Sequence, residues 1–249
     1  MSRVNLFNGA TITVEGTSES YHTFDDWGLY ITNTDIIGEP KQYTRYIEIP
    51  GRNGLLDLSE TIAGRQIYTS REIKMTLAGA RDKVTWNAAI SILRNKINGK
   101  ICRISFDDDK TYYWTGRIVI KDFSSALNLG KLTIDVPTAD PYKYSMFSST
   151  EPWLWDPFNF ETDYDYSILS PYVTVNGNTK TFNIYSGNYP FTIEAVWVSG
   201  TTTVSFGGIT KSISSSLRSA ELGKSSYGSN VLSVSGIGSV KIKWRGGSL

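Results

Sequence analysis

The residues of this sequence that could carry chemistry are few, and the most conspicuous are carboxylates. Three consecutive aspartates, Asp107, Asp108 and Asp109, could offer oxygen ligands to calcium or magnesium. Neighbouring side chains on a tight turn point apart, however, and neither a glycine nor a downstream glutamate completes a calcium-loop spacing. The pattern therefore favours a solvated hairpin tip over a metal site.

Paired carboxylates further along the chain raise the question of glycoside hydrolysis. That reaction needs two carboxyl groups across a cleft, one of them with a raised pKa. The candidate pairs are Asp156 with Glu161 and Asp163 with Asp165, but they lie in a predicted linker where nothing would desolvate them. The sequence has no nucleophile elbow and no phosphate-binding glycine loop. We therefore expect a protein that is not an enzyme and that binds no cofactor.

Two reactive residue types occur once each, His22 and Cys102. A single cysteine excludes an intrachain disulfide and a cysteine-based metal site. A single histidine excludes a multi-histidine zinc site, and a Ser-His-Asp triad would have to use that one imidazole.

The balance of basic and acidic residues disfavours tight binding to nucleic acid. The chain has 249 residues with 25 basic and 24 acidic side chains, and neither half carries a basic excess. Affinity for phosphate depends on clustered Lys and Arg. The first residues lack the apolar run of a signal peptide, and no later run could span a bilayer. We expect no membrane association, with synthesis and assembly in the cytoplasm.

The elements that position these residues are mostly strands. Alternation predicts strands over residues 10–15, 29–37, 43–49, 67–77, 101–106, 111–123 and 127–136. One helix is predicted, with Asp82 as N-cap, Gly99 just past its end, and an apolar stripe of Trp86, Ile90, Leu93 and Ile97. Arg71 interrupts the mostly apolar row of the strand at 67–77. Either it lies near the exposed end of the strand, or it reaches a carboxylate on another subunit.

The last third of the chain changes in composition, towards Ser, Gly, Thr and aromatic residues with sparse charge. Short strands are predicted over residues 172–175, 181–185, 191–198, 202–206, 231–234 and 239–244, separated by glycine-rich turns. The sequence therefore predicts a mainly β protein of two domains, residues 1–143 and 144–249. The second is expected to be an antiparallel sandwich.

A sharp turn is predicted where the strand at 43–49 ends. Pro50 fixes φ and Gly51 and Gly54 permit positive φ, so Arg52 and Asn53 should lie at the tip of a hairpin. Such a tip either only connects two strands or offers a contact surface to a partner.

Four stretches in this order resemble the distal tail protein (Dit) family of siphophages. They are Phe24-Asp25-Asp26-Trp27-Gly28-Leu29, then Ile49-Pro50-Gly51-Arg52-Asn53-Gly54-Leu55-Leu56-Asp57-Leu58-Ser59, then Tyr68-Thr69-Ser70-Arg71-Glu72-Ile73, and Ala139-Asp140-Pro141-Tyr142. The resemblance implies a structural protein of a phage or prophage tail tip or baseplate, whose second domain is galectin-like or like a carbohydrate-binding module.

The resemblance also implies an assembly. The first domain would be a β-sandwich with one helix and an extended β-hairpin. A homo-hexameric ring of first domains would join the tail-tube protein to the tail-associated tip protein, and DNA would pass through without being specifically bound. The second domains would face receptor-binding or baseplate proteins. Unfinished β surfaces and exposed aromatics could be completed by an adjacent subunit. The predicted interface residues are Trp27, Pro50, Gly51, Arg52, Asn53, Gly54, Tyr68 and Arg71.

An alternative function is adhesion through a carbohydrate-binding module. Aromatic faces stack on sugar rings, and Trp153 and Trp155 open the second domain, with Trp197 and Trp244 further on. The same residues could equally serve the core of a sandwich.

Overall fold

A computed structural model describes residues 9–33, 36–61, 63–80, 83–126, 129–148, 172–187 and 189–249. Over these ranges the chain forms eighteen β-strands, all paired antiparallel where a register is defined, and one α-helix. The expectation of a mainly β fold is confirmed. The chain divides into two compact units, one within Met1–Tyr43 and Tyr68–Lys143, the other within Thr44–Ile67 and Tyr144–Leu249.

The elements follow one another along the chain with these bounds. They are β1 (Ala10–Val14), β2 (Ser20–His22), β3 (Tyr30–Ile31), β4 (Tyr46–Glu48), β5 (Leu55–Asp57), β6 (Arg71–Ala80), α1 (Lys83–Ile97), β7 (Ile101–Phe106), β8 (Tyr112–Arg117), β9 (Val119–Ala126), β10 (Leu129–Ala139), β11 (Lys143–Ser148), β12 (Tyr172–Asn176), β13 (Lys180–Ser186), β14 (Thr192–Phe206), β15 (Ile209–Ile213), β16 (Ser219–Lys224), β17 (Gly228–Lys243) and β18 (Arg245–Ser248).

The first unit packs two sheets and the helix around one core. One sheet contains the strand order β8-β7-β1-β2, and the other has the order β3-β6-β10-β9. Alternate residues of β1, β6, β7 and β10 point into the shared core, as the period of two requires. The core side chains of these strands include Ile12, Ile73, Met75, Leu77, Ile104, Leu132 and Ile134.

The helix packs on this core through the stripe that the sequence predicts. Trp86, Ile90, Leu93 and Ile97 are all buried. The Trp86 ring occupies the space beside Gly130, where an added Cβ would come within 2.2 Å of the ring. Gly99 ends the helix with φ of 76°, and its N–H donates to Ile118 O at 2.8 Å. The predicted N-cap, Asp82, lies outside the described residues.

The predicted strand over 111–123 is wrong, because two strands of different sheets occupy this range. The break falls at Ile118, which is fully buried. Its N–H donates to Lys100 O and its carbonyl accepts from Gly99, at 3.0 and 2.8 Å. A buried apolar residue between two strands has the same sequence pattern as a residue within one strand. The break can be recognised only from the strands with which each half pairs.

The predicted strand over 29–37 is also much shorter in the structure. Among the described residues of this range, the one strand is β3, and Ile37 adds an isolated bridge to Ile73 of β6. The side chain of Asn33 takes over part of the pairing with β6. Its Oδ1 accepts from Thr76 N–H and its Nδ2 donates to Lys74 O, both at 2.7 Å. A side-chain amide can satisfy backbone groups in place of a strand ladder.

The second unit contains a sheet in which β14 and β17 lie at the centre, in the order β12-β17-β14-β15. In addition, β13 pairs with the first half of β17 and β16 with the first half of β14. The two halves of the long strands enclose one core, whose side chains include Val173, Ile184, Ile193, Val204, Phe206, Leu232, Val234, Val240 and Ile242. An antiparallel sandwich is therefore formed by bent strands.

A glycine corner bends these two long strands. Gly200 lies opposite Gly238 with φ of 66°, and Gly236 lies opposite Thr202 with φ of 109°. A Cβ on Gly200 would lie 2.2 Å from Ile237 O. Two single strands therefore occupy ranges where the sequence predicts four. The predicted strands 191–198 and 202–206 are the two halves of β14, and 231–234 and 239–244 are parts of β17. The glycines between them have the pattern of turn signals but mark a bend.

The segment Thr44–Ile67 belongs to the second compact unit. The predicted division of the chain into domains 1–143 and 144–249 stays a prediction. The Arg65 guanidinium donates to the carbonyl of Ser225, a buried residue of the second unit.

Substituting Gly200→Ala should destabilise the second unit by roughly 3 kcal/mol, since it adds a backbone clash to a strained positive φ. Thermal unfolding followed by circular dichroism checks this. Gly187→Ala is the matched control, because no atom lies within 4 Å of its Cβ position and its φ is not in the left-handed region. An unfolding midpoint for Gly200→Ala equal to that of the control would contradict the corner as a source of strain.

The Cys102 thiol should react slowly in the native protein. Burial raises the pKa of Cys102 to about 11, and a raised thiol pKa leaves about a hundredfold less thiolate at pH 8. Alkylation by iodoacetamide, followed by mass spectrometry, is expected to be about a hundredfold slower in native protein than in protein unfolded in guanidinium chloride. Equal rates would show that the thiol is accessible.

Candidate functional site

The hairpin of β4 and β5, residues 46–57, pairs with no other strand in the described parts of the chain, and we call it the arm. Its register places Ile47 opposite Leu56 and Glu48 opposite Leu55. Two-stranded hairpins are marginally stable in water without a layer behind them. By this rule the arm on its own is marginally stable.

Apolar side chains on both faces of the arm are exposed. Tyr46 is 54% exposed and Leu55 is 59% exposed, while Ile47 and Ile49 are each more than a third exposed. Exposed apolar residues scattered singly need no explanation, but four on one short hairpin, with Tyr46 and Leu55 on one face and Ile47 and Ile49 on the other, indicate an interaction surface. The arm has the composition of an element that a partner covers.

A hydrogen-bond network closes the base of the arm. The Ser59 hydroxyl donates to Asp57 Oδ1 at 2.5 Å, and its oxygen accepts from Arg45 N–H at 2.9 Å. Ser59 N–H also donates to Asp57 Oδ1, at 2.9 Å. These bonds from Ser59 hold the pKa of Asp57 below its ordinary value. The network fixes the direction in which the arm leaves the fold.

The tip of the arm has the turn that the sequence predicts. Gly51 and Gly54 adopt φ of 84° and 79°, and Arg52 N–H donates to Ile49 O at 3.1 Å. Pro50, Gly51, Arg52, Asn53 and Gly54 are all exposed. The tip is free to make contacts, and its assignment to an interface stays a prediction.

Trp27 does not have the exposure that the sequence analysis expected. It is 9% exposed and belongs to the core of the first unit, with its ring stacked on Tyr21 at 5.5 Å. It forms one wall of a cleft of about 310 Å³, which Trp86 and Ile92 also line. The expectation of a free aromatic surface at Trp27 is wrong, because the corner folds the ring inward over the helix.

Tyr68 is half-buried before the start of β6. It forms an isolated bridge with Gln42, and its ring meets the edge of Tyr142 at 6.2 Å. The predicted strand over 67–77 therefore begins later, at Arg71, and continues to Ala80.

Arg71 is the first residue of β6 and so lies at a strand end, as one of the two expectations placed it, but its side chain is buried. It shares the core-facing row of β6 with Ile73 and Met75 and is 5% exposed. Its guanidinium carbon lies 4.3 Å from the centroid of the Trp114 ring. Burial lowers the pKa of Arg71, against the opposing effect of the acidic Glu39 and Asp140.

The three aspartates of the β7–β8 turn do not converge. Asp107 accepts from Gly9 N–H at 3.0 Å and lies 3.2 Å from His22 Nε2, while Asp109 pairs with Lys143 at 2.6 Å. Their carboxylates serve separate structural contacts. Within the described residues, no group of three or more His, Cys, Asp or Glu side chains could hold a metal ion.

His22 is engaged through both of its ring nitrogens. Nδ1 lies 3.1 Å from the backbone nitrogen of Asp25 and 3.0 Å from Asp25 Oδ2, and Nε2 lies 3.2 Å from Asp107 Oδ2. The imidazole thus holds β2 to the β7–β8 turn, which is a structural use of the single histidine.

Several predicted site residues fall outside the described residues. These are Trp153 and Trp155, proposed for sugar stacking, and the carboxylate pairs Asp156 with Glu161 and Asp163 with Asp165. No helix in the described ranges is long and apolar enough to cross a membrane.

Sequence reasoning missed the apolar surface of the arm itself. The signal was present, because Tyr46-Ile47-Glu48-Ile49 places apolar side chains on both faces of one strand. A strand with one face in water should alternate apolar with polar residues. Trp114, which stacks on Arg71, was missed because its partner is distant in sequence.

Comparisons with known proteins identify the fold. No family model and no curated protein matches the sequence, whereas 7 solved chains match the structure. One is the SPP1 Dit (gp 19.1) protein, described as a paradigm of the hub adsorption apparatus in phages that infect Gram-positive bacteria. The match covers 96% of this chain and 99% of that chain, with a TM-score of 0.52 and 13% identity. The chain therefore has a Dit-like fold.

The base of the arm should be sensitive to Ser59. We expect Ser59→Ala to raise the pKa of the Asp57 carboxyl towards the ordinary value for aspartate, because the bonds that favour its charged form weaken. Since the folded pKa is lowered, this contact stabilises the hairpin above the unfolded pKa and is lost as pH falls through the folded pKa. NMR titration of the side-chain carboxyl carbons checks this.

Ser205→Ala is the control, since it removes an exposed hydroxyl that bonds to Thr210 instead. An unchanged Asp57 titration in Ser59→Ala would remove the network from the account of the arm.

Proposed function

We propose that this chain is a structural, non-catalytic hub of a siphophage tail tip or baseplate, encoded by a phage or a prophage. Copies of it form a hexameric ring that joins the tail-tube protein to the tail-associated tip protein. DNA passes through the ring without being specifically bound. The protein is assembled in the host cytoplasm and is located at the tip of the virion tail.

The observation that carries this proposal is the fold match along nearly the whole chain. The likeness to the SPP1 Dit protein extends over 96% of this chain, both compact units included. The four sequence stretches that resemble the Dit family fall in the first part of the chain, and the fold match extends to the last third, where no sequence motif was recognised. The sequence resemblance and the fold match therefore both support the proposal.

The arm supports the proposal that the protein functions as an oligomer. Four exposed apolar side chains on a hairpin that pairs with no other strand of the described residues favour a bound partner. A contact between different patches of neighbouring copies, repeated by rotation, closes into a ring. A closed ring has a lumen, which is the feature that a tail hub requires.

The charge balance suits passage of DNA. With 25 basic and 24 acidic residues, the chain lacks the basic excess that would retain duplex DNA. A lumen of weak electrostatic potential lets a polyanion slide past. Outside the ring, the second domain, residues 144–249, would contact receptor-binding or other baseplate proteins during host attachment.

Negative-stain electron microscopy of the purified full chain, over a range of concentrations, tests the proposal. We expect annular particles with six-fold symmetry and a central hole. Monomers alone at every concentration, confirmed by sedimentation velocity, would sink the ring and with it the hub.

The arm should be necessary for the ring but dispensable for folding. Leu55→Asp places a charge at a side chain that is 59% exposed, so the unfolding free energy should change by less than about 0.5 kcal/mol. Ring formation should be lost, because the charge would be buried in the subunit contact. Sedimentation velocity and thermal unfolding measure the two effects.

Val231→Asp is the matched control, since Val231 is 55% exposed and lies on the sandwich of the second unit. Rings that form equally well with Leu55→Asp and Val231→Asp would exclude the arm from the subunit contact.

A further inference from the structure

Arg71 is a buried charge at the end of an apolar row. It opens β6, whose inward side chains continue as Ile73, Met75 and Leu77, all fully buried. The residue before it, Ser70, is exposed. The guanidinium therefore lies at the margin of the core, just below the surface of the first unit.

The donors of this guanidinium lack acceptors. Nε and Nη2 of Arg71 are buried and have no hydrogen-bond partner among the described residues. Its nearest acidic influences, Glu39 and Asp140, act at a distance and form no ion pair with it. Buried donors are nearly always satisfied in folded proteins, and an unpaired buried charge is among the costliest features a core can contain.

A second arginine of the same unit, Arg103, combines an aromatic contact with a carboxylate partner. The Arg103 guanidinium lies over the Tyr113 ring at 5.2 Å, much as Arg71 lies over Trp114. Arg103 also donates to Glu15 Oε1 at 2.7 Å. The two sites differ in the carboxylate, which Arg103 has and Arg71 lacks.

The arm carries a carboxylate that lacks a cationic partner among the described residues. Glu48 is exposed, lies directly opposite Leu55 in the hairpin, and shares that face with Tyr46. It forms no ion pair with any described residue. If a partner covers Tyr46 and Leu55, Glu48 is buried with them, and a buried carboxylate requires a cation.

We propose that Arg71 is a binding site for a carboxylate, and that Glu48 on the arm of a second copy of this chain supplies it. This inference rests on the proposed function, which supplies the second copy. The guanidinium carbon lies 4.3 Å from the centroid of the Trp114 ring, and Nε and Nη2, the two nitrogens of one edge, have no partner in the described parts of the chain. A planar guanidinium edge can donate two parallel hydrogen bonds to a carboxylate. Insertion of the arm then satisfies both groups at once and selects one register of the ring.

The first test separates this role from a merely structural one. Arg71→Met keeps the apolar stem and removes the charge, so the thermal midpoint of the monomer should stay level or rise. Self-association, measured by sedimentation velocity, should weaken by about ten- to a hundredfold, the usual effect of losing a charge-assisted hydrogen bond. Arg103→Met, the control, should leave association unchanged.

The second test uses a surface position that cannot compromise folding. Glu48→Gln should weaken association as strongly as Arg71→Met does, whereas Glu60→Gln, at an exposed position just beyond the arm, should have no effect. In the double variant Arg71→Met with Glu48→Gln, the losses should not multiply, because both remove the same contact.

The outcomes distinguish the two claims. Wild-type rings with unaltered association of Glu48→Gln, or losses that multiply in the double variant, would overturn the Arg71–Glu48 contact and leave the ring intact. A wild-type chain that never associates would overturn the ring and this contact together.

Discussion

The architecture depends on a hairpin that satisfies its own backbone and leaves its side chains uncovered. β4 and β5 exchange hydrogen bonds with each other, yet Tyr46, Ile47, Ile49 and Leu55 lie in water. Apolar burial is the main favourable term in folding, and this element forgoes it. In the proposed ring, a second surface would supply the burial that the chain's own fold does not give the arm.

The rest of the fold gives this arm a fixed origin. Ser59 closes its base through Asp57 and Arg45, and Arg65 anchors the following segment to the carbonyl of Ser225. The sandwich beneath that anchor owes its shape to two long strands that bend at Gly200 and Gly236. Rigid support of a short recognition element lowers the conformational entropy lost on binding.

Local patterns predicted local structure well. The buried stripe of α1 and the turn at Gly51 and Gly54 follow from spacing and from residue-specific backbone limits, which require no knowledge of distant residues. The crossing at Ile118 and the continuity of β14 and β17 did not follow, since strand pairing decides them. Of the site, sequence predicted the tip, but the burial of Trp27 and Arg71 depends on Tyr21 and Trp114, which are brought to them by the fold.

Hydrogen–deuterium exchange of the arm tests the central claim most directly. Exchange of the Ile47 and Leu56 amides would be compared between dilute monomer and annular particles of the full chain. The account predicts fast exchange in the monomer, since an uncovered hairpin opens easily, and strong protection in the ring. Equal exchange in the two states would mean that no second surface covers the arm, and would contradict association as the purpose of this fold.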